Sequence, residues 1–422
     1  MNKNVKDIKP CTPISCLKRE EFLGYPGKFA QAIVSDAVGM SKNFIRQVVG
    51  HSNSLNAQDV LNLLEQDAFS ETFVPRSKVL SYLIRRNASE LEQVEAESLT
   101  LGDMTLLKGN ALNLIQHLPQ RSVHCVITST PYWAMRLYDE MEPVVWADGE
   151  ICPFGMEQTP EGFIRHSVEV LSLLKPAMAQ DGSVWWNIMD TFNTRTQIRS
   201  NSVEALHAMQ GKTKTGWTEY DCRRYSAGHS YLKDGEQCLI PMKIAERASR
   251  IGYYLKTFIS WTKTSTLPEP QNSRVSRNVE YIIHLSLQRT PRFYKEAYRA
   301  LPAKLGGKNG ILESDKLSDF WHLPTSTGRD GHGAQFPLAL PGRCIALTTK
   351  EGDLVVDPFV GAGTSAIAAQ MLERRFVGFD ISEKYLATAR MRLLKLEKPQ
   401  FIKSEIPQLH EDVQGTLLPC LD

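Results

Sequence analysis

The sequence predicts an α/β protein: a mostly parallel sheet with helices on both faces, preceded by an α-helical N-terminal region. Three observations lead there. From about Thr100 onward, strand-length apolar runs alternate with helix-length amphipathic segments, as in repeated strand–helix units. The run Val123–Thr128 is nearly all apolar, which suits a strand covered on both faces. Before Thr100 the apolar residues recur at helical spacing, with no strand-like alternation.

Composition sets the limits. The chain has 422 residues, 42% hydrophobic and 23% charged, which is ordinary for a globular protein and excludes a disordered or collagen-like chain. Lys and Arg number 49 against 47 Asp and Glu, a net +2, so no global charge points to a partner. The length suggests two to three domains. No apolar run approaches the roughly 18–20 residues that span a bilayer. The start, Met1–Asp7, lacks the apolar stretch of a signal peptide. The eight Cys (11, 16, 125, 152, 222, 238, 344, 420) form no Cys-x-x-Cys pair. Neither a disulfide framework nor a metal site is therefore expected, and the expected compartment is a reducing cytoplasm.

Element by element, Phe29, Ala32, Ile33 and Ala37 fit one helix that Gly39 interrupts, and Ser41 caps a second carrying Phe44, Ile45, Val48 and Val49. This pair is either a helix-turn-helix presenting Lys42, Asn43, Arg46 and Gln47 to a groove or an ordinary helical hairpin. Ala88–Ser98 is a helix end or linker. Met104–Lys108 and Val123–Thr128 are strands. Thr159-Pro160-Glu161 starts a helix with a hydroxyl cap, a proline in the first turn and an acid. Its inner stripe is Phe163, Ile164, Ser167, Val168, Leu171 and Leu174. Asp181-Gly182 turns into the strand Ser183–Ile188. A helix follows over Leu239–Gly252, then strands over Tyr254–Lys263 and Val279–Leu287. Pro337–Thr348 is a helix, Asp353–Asp357 a strand, Thr364–Leu372 a helix, Phe376–Asp380 a strand and Ser382–Leu396 a helix. Two long inserts interrupt the alternation. Thr191–Cys238 is basic and aromatic, with Arg223 and Arg224 among its cations, and Ala300–Gln335 is rich in glycine.

Two loops carry the chemistry. Asp357-Pro358-Phe359-Val360-Gly361-Ala362-Gly363-Thr364 follows an apolar strand and opens a helix, at the carboxyl end of a strand where ligands sit. Gly361 and Gly363 let backbone approach a ligand. The next strand ends in Asp380, an acid placed to hydrogen-bond ribose hydroxyls. There is no Gly-x-Gly-x-x-Gly spacing, which argues against an NAD oxidoreductase, and Asp357 suits a cationic ligand better than a pyrophosphate. An adenosyl sulfonium fits this loop. The second loop, Thr128-Ser129-Thr130-Pro131-Tyr132-Trp133, also follows a buried strand.

Together these loops resemble those of the amino-methyltransferases, which pair an Asp-Pro-Phe-x-Gly-x-Gly-Thr loop for S-adenosyl-L-methionine with a Ser-Pro-Pro-Tyr loop for catalysis. The order, catalytic loop first, is similar to that of the permuted β class of bacterial DNA methyltransferases of restriction–modification systems. A tetrad beginning with Ser is typical of cytosine-N4 enzymes, whereas adenine-N6 enzymes more often begin with Asp or Asn. The resemblance runs from about Met104 to Leu396 and includes Ser318–Pro324 and His332–Pro337. It implies a Rossmann-like S-adenosylmethionine-dependent methyltransferase sheet with inserted DNA-recognition segments. It departs at two places: Thr130 stands for the tetrad's first proline, and Asn110 stands where many relatives carry Asp beside the cofactor adenine. An Asn carbonyl can still accept from the adenine amine.

The implied site has Ser129, Thr130, Pro131 and Tyr132 in catalysis. Asp357, Pro358, Phe359, Gly361, Gly363, Thr364, Asp380, Asn110 and Phe336 form the cofactor site. The Ser129 hydroxyl and the Thr130 carbonyl would accept from the exocyclic amine of a flipped cytosine while Tyr132 stacks on it. Trp133 and Arg136 either hold the base or its phosphate or simply pack. Arg274 and Arg277 lie in Lys243–Arg299, where eleven Lys and Arg face four Glu, a net +7 suited to phosphate contacts. With Arg223 and Arg224 they are the candidate DNA-binding cations.

The implied layout is a helical region at 1–100, possibly contacting DNA, and a catalytic half at 101–190. Candidate target-recognition segments at 191–238 and 300–335 flank the basic remainder of the catalytic half at 239–299. A cofactor half at 336–398 and a tail at 399–422 complete it. The implied partners are double-stranded DNA and a cognate restriction endonuclease acting on the same site, with no membrane. The oligomeric state is open between monomer and dimer, and the expected location is a bacterial cytoplasm. The rival readings are an adenine-N6 enzyme of the same fold and a catalytically silent DNA-binding module in which Thr130 marks decay.

Overall fold

The computed structural model describes residues 22–38, 40–66, 79, 83–84, 98–133, 141–146, 151–157, 159–193, 196–198, 223–225, 232–233, 235–263, 272–307, 317–324 and 336–396. The chain divides into two compact units, each assembled from three stretches. One takes Met1–Leu91, Pro131–Ser172 and Asp190–Leu255; the other takes Glu92–Thr130, Leu173–Met189 and Lys256–Asp422.

The first unit is mainly helical. Helices α1 (Gln31–Val38), α2 (Lys42–Val49) and α3 (Ala57–Leu64) enclose a core of Phe22, Val34, Val38, Ile45, Leu55 and Val60. Ser41 caps α2 as expected, its hydroxyl accepting from the Phe44 amide at 3.2 Å. Ile45 faces inward while Asn43 and Gln47 are exposed. Phe29 departs from the expected helix. It sits in a two-residue strand paired with Leu55, and its ring stacks on Phe22 and Tyr25. The capping box of α3, Asn56 with Asp59, had drawn no notice in the sequence. The sequence around α5 (Pro160–Leu174) behaves as predicted: Thr159 Oγ1 accepts the Gly162 amide at 3.0 Å and the inner stripe is buried. Helix α6 (Ile240–Arg250) joins it through a buried ion pair, Arg247 Nη1 to Glu161 Oε1 at 2.6 Å.

The second unit holds the sheet. Its nine strands lie in the order β7-β5-β6-β4-β3-β8-β9-β2-β1, where β1 is Ser98–Leu101, β2 Met104–Lys108, β3 Val123–Ser129, β4 Met178–Ile188, β5 Tyr254–Lys263, β6 Val279–Ser286, β7 Phe320–Leu323, β8 Leu354–Asp357 and β9 Arg375–Asp380. The central run β4-β3-β8-β9-β2 is parallel throughout; β6 runs antiparallel to β4 and β1 to β2. Val126, Ile127, Val355 and Val356 are buried, as the all-apolar runs require. Helices α9 (Ala339–Thr348), α10 (Thr364–Met371) and α11 (Glu383–Leu394) pack on β3, β8 and β9, and α4 (Ala111–Gln116) follows β2. Between them in the chain lie the short helices α7 (Lys295–Arg299) and α8 (Ala303–Gly306).

The expected turn at Asp181-Gly182 is instead interior strand. A Cβ on Gly182 would come within 2.9 Å of the Val123 carbonyl, and the β3–β4 register shifts beside it, between Val123 and Cys125. The glycine serves close strand approach rather than chain reversal. From β3 the chain steps outward to β4, and from β8 it steps the other way to β9. The carboxyl ends of β3 and β8 therefore flank a topological switch point, where open α/β sheets bind ligands.

Candidate active site

Ser129 is the last residue of β3, and Asp357 is the last of the neighbouring parallel strand β8. The sheet unit thus brings the start of one predicted loop and the start of the other to the same edge.

Asp357 is almost completely buried, and both its oxygens are engaged: Oδ1 accepts the Phe359 amide at 3.0 Å and Oδ2 the Ser365 hydroxyl at 2.5 Å. Burial pushes its carboxyl up to about 6. The Ser365 hydroxyl, the nearby Thr128 hydroxyl and the Phe359 amide oppose that shift by favouring the charged form, and Asp380 adds to it. The Thr128 hydroxyl is buried beside it without a hydrogen bond of good geometry among the described residues. Asp357 therefore pins the loop from beneath.

Asp380, at the end of β9, accepts the Gly361 amide on Oδ2 and the Ser382 amide on Oδ1, each at 2.9 Å. Gly361 has φ +51° and nothing within 4 Å of where a Cβ would project. Gly363, with φ +80°, is the opposite case: a Cβ there would lie 2.7 Å from Ala389 Cβ on α11. One glycine presents bare backbone to open space; the other lets a helix close on the loop. Thr364 is buried and accepts from Arg392 Nη1 at 3.2 Å. Pro358 is buried and Phe359 half-buried. Phe336 joins the core ahead of α9. Asn110 sits past the end of β2, next to β9, and its Oδ1 caps α4 by accepting the Leu112 amide at 2.9 Å. The carbonyl expected to meet an adenine amine is thus engaged locally.

At the catalytic loop, Thr130 is buried, and its hydroxyl has no hydrogen-bond partner among the described residues. Leaving a buried hydroxyl unpaired costs about 1–3 kcal/mol, so the proline-to-threonine departure carries a penalty. Asn187, at the end of β4 opposite Ser129, donates from Nδ2 to Ser129 Oγ at 3.2 Å and to Glu280 Oε2 at 2.8 Å. Glu280 in turn pairs with Lys263. The sequence had not singled out Asn187, Glu280 or Lys263 as site residues.

Pro131, Tyr132 and Trp133 open a stretch of the helical unit. There a Cβ on Gly155 would come within 3.1 Å of Pro131 Cβ, so this glycine lets the two segments pack. Trp133 is buried, and its indole N–H donates to the Glu157 carbonyl at 3.2 Å. These contacts are those of packing, one of its two expected roles. Cys152, Glu157 and His166 bring three potential metal-ligand atoms within 4.8 Å, a cluster the sequence had not suggested. Glu157 Oε1 is already shared by the Gly155 amide and His166 Nδ1, each at 3.1 Å, and Trp146 stacks on the imidazole. These groups already serve as a hydrogen-bonded support for the segment.

Arg136 lies outside the described residues. Arg223 and Arg224 lie in a strand paired with Thr196–Ile198. Arg274 and Arg277 are half-buried between β5 and β6. Part of the net +7 of Lys243–Arg299 is neutralised locally: Arg247 pairs with Glu161, and Arg292 with Asp181 and Asp353, all outside the segment. The described cysteines 125, 152, 238 and 344 are buried, and burial pushes the Cys125 thiol up to about 12. No helix among the described residues is long and apolar enough to cross a membrane.

A mostly parallel sheet with the starts of both loops at its switch point defines an α/β, Rossmann-like fold that binds ligands at its strands' carboxyl ends. The chain belongs to the DNA methylase family of N6 and N4 amino-methyltransferases, which residues 123–391 match. S-adenosyl-L-methionine is the methyl donor of this family. Among its relatives, the type II methyltransferase M.Cfr9I of Citrobacter freundii is 29% identical over 303 residues, covering 71% of this chain and 90% of the relative. The type II methyltransferase M.SmaI of Serratia marcescens is 27% identical over 297 residues, 69% and 90% of the two chains. The solved PvuII DNA methyltransferase (cytosine-N4-specific) aligns at 17% identity with a TM-score of 0.49, over 71% of this chain and 89% of that one.

Proposed function

We propose that the protein transfers a methyl group from S-adenosylmethionine to N4 of a flipped cytosine in a specific duplex DNA sequence. It would act as a modification enzyme beside a restriction endonuclease of the same specificity. The observation that carries this reading is the placement of Ser129 and Asp357 at the carboxyl ends of adjacent parallel strands.

The residues present suit the cofactor. Gly361 offers backbone without a side chain, Asp380 holds that backbone and keeps oxygen lone pairs for hydroxyls, and Phe336 supplies an apolar wall. When bound, S-adenosylmethionine supplies a methyl group already activated on a sulfonium. The exocyclic amine of cytosine is a weak nucleophile because its lone pair is delocalised into the ring. Ser129 Oγ and the Thr130 carbonyl accept its two protons and draw the nitrogen toward a tetrahedral shape. Pro131 directs that carbonyl, and Tyr132 is the ring that the family resemblance assigns to stacking. One amine proton leaves to solvent as the new bond forms. Positioning supplies most of the acceleration. Asp357, Pro358, Phe359, Gly363 and Thr364 set the loop, and Asn110 lies at its adenine side. Arg274 and Arg277, with Arg223 and Arg224, are the cations proposed to meet phosphate.

The test is transfer of tritiated methyl to unmodified plasmid DNA, followed by nucleoside analysis. N4-methylcytosine that disappears in Ser129→Ala and Asp357→Ala is the expected result. N6-methyladenine alone would move the assignment to the adenine-N6 class. DNA binding with no transfer would point to a silent module.

A further inference from the structure

Ser129 does not stand alone at the sheet edge. Four adjacent strands, β3, β4, β6 and β5, each contribute one polar side chain to a line: Ser129, Asn187, Glu280 and Lys263. Asn187 and Glu280 are almost fully buried, and the Lys263 and Glu280 side chains are only 17% and 7% exposed. Such a line has a direction. Glu280, ion-paired with Lys263, presents acceptor oxygens to Asn187. Glu280 must therefore face the amide nitrogen of Asn187, and this sets which way the carboxamide points. The same Nδ2 then has one proton left, aimed at Ser129 Oγ. The Ser129 hydroxyl oxygen is thereby held by a directed N–H.

We propose that Glu280 and Lys263 are positioning residues for the Ser129 hydroxyl, acting through the Asn187 carboxamide. The assignment rests on Ser129 being the amine acceptor of the proposed function. Neither residue touches the reacting atoms. Lys263 on β5 is ion-paired with Glu280, and Asn187 on β4 donates to it.

Kinetics of tritiated methyl transfer to unmodified plasmid DNA by the full-length protein test this. Loss of a preorganised hydrogen bond at a reacting group typically costs about 100-fold in rate, so Glu280→Ala is expected to lose about that much kcat with KM for S-adenosylmethionine within about two-fold. Glu280→Gln keeps an acceptor oxygen and is expected to recover to within about ten-fold of wild type. Lys263→Met removes the ion pair that holds the Glu280 carboxylate in line. Its kcat is expected to fall by about ten-fold or more, with KM for S-adenosylmethionine within about two-fold.

The proposal is overturned if Glu280→Ala keeps kcat within about three-fold of wild type, below the smallest loss expected of a positioning bond. It is also overturned if Glu280→Gln is no better than Glu280→Ala, or if Lys263→Met keeps kcat within about three-fold of wild type. Should Glu280→Ala fail to fold, the Glu280→Gln and Lys263→Met pair decides alone. Ser129→Ala separates the two levels. If it retains activity, the function reading fails; if it is inactive while the Glu280 and Lys263 variants are normal, only the relay fails.

Discussion

At the amino ends of β3, β4 and β8 the polar groups are charged and partly open to water. Arg292 reaches Asp181 Oδ2 at 2.5 Å and Asp353 Oδ2 at 3.0 Å, and His124 lies 3.5 Å from Asp353. At the carboxyl ends of the same strands the polar groups are buried and bonded in chains: Asp357 to Ser365, and Ser129 through Asn187 to Glu280. Solvent-screened pairs of the first kind contribute little individually. Buried networks of the second kind are costly when any member is lost. One end of the sheet tolerates change, while the other holds its groups in place at a cost in stability. Four predictions would break or sharpen that contrast.

The largest effect belongs to Gly363→Val. The position has φ +80°, and a Cβ would sit 2.7 Å from Ala389 Cβ, so strain and overlap add. Destabilisation of about 3 kcal/mol or more is expected in urea denaturation, with loss of methyl transfer. Gly361→Ala is the sharpening partner. It faces open space, so stability is expected to drop by only about 1 kcal/mol from its φ of +51° while cofactor affinity falls much more. Equal stability losses in the two variants would show that both glycines serve packing.

Next comes the pH dependence carried by Asp357. Its carboxyl is raised from 3.8 to about 6 in the fold. The folded state thus holds the proton more tightly than the unfolded chain, and stability falls as pH rises through that window. Above about pH 6 the penalty is complete, at about 3 kcal/mol. Asp357→Asn removes it. Wild-type stability relative to the variant is expected to decrease between about pH 4 and pH 7, and a flat difference would show that the site end carries no such penalty.

The opposite sign is expected of His284, which packs 3.8 Å from the Trp185 ring and whose Nε2 lies 3.0 Å from Ser183 Oγ. Burial lowers it from 6.5 to about 3. The unfolded chain takes up a proton that the fold refuses, so stability is lost as pH falls below 6.5. At about pH 5 that loss is about 2 kcal/mol. His284→Gln should flatten the acid side of the wild-type profile, and an unchanged profile would remove His284 from the account.

The sequence made the backbone of this contrast readable but not its wiring. Tyr254–Lys263 is a strand with the predicted bounds, and the two loops fall at strand ends as their positions after apolar runs required. These features are local: periodicity, a cap, a glycine after a strand. The strands Ser98–Leu101 and Phe320–Leu323 carry little periodic signal in the sequence, being four residues long, and their pairing is set by neighbours. Glu280 and Asn187 lie 93 residues apart and Ser129 a further 58, so only the sheet order brings them together. The cations of Lys243–Arg299 show the same limit. Their sum is visible in the sequence, but not that Glu161, Asp181 and Asp353, distant in sequence, pair with two of them, Arg247 and Arg292.

Arg292 gives the smallest effect and the sharpest check on the comparison. Its side chain is 30% exposed, and it bridges two carboxylates at the amino ends of β4 and β8, far along those strands from Asn187 and Asp357. The backbone around it is independently fixed: the Arg292 amide donates to the Asp181 carbonyl at 3.1 Å and the Tyr294 amide to Leu347 at 2.7 Å. Arg292→Ala should therefore cost only about 0.5–1 kcal/mol, with the difference shrinking as salt is raised because exposed pairs are screened. Methyl transfer should be unchanged. A large loss of activity with little loss of stability would mean that the amino end communicates with the site, and the division between a tolerant end and a working end would not hold.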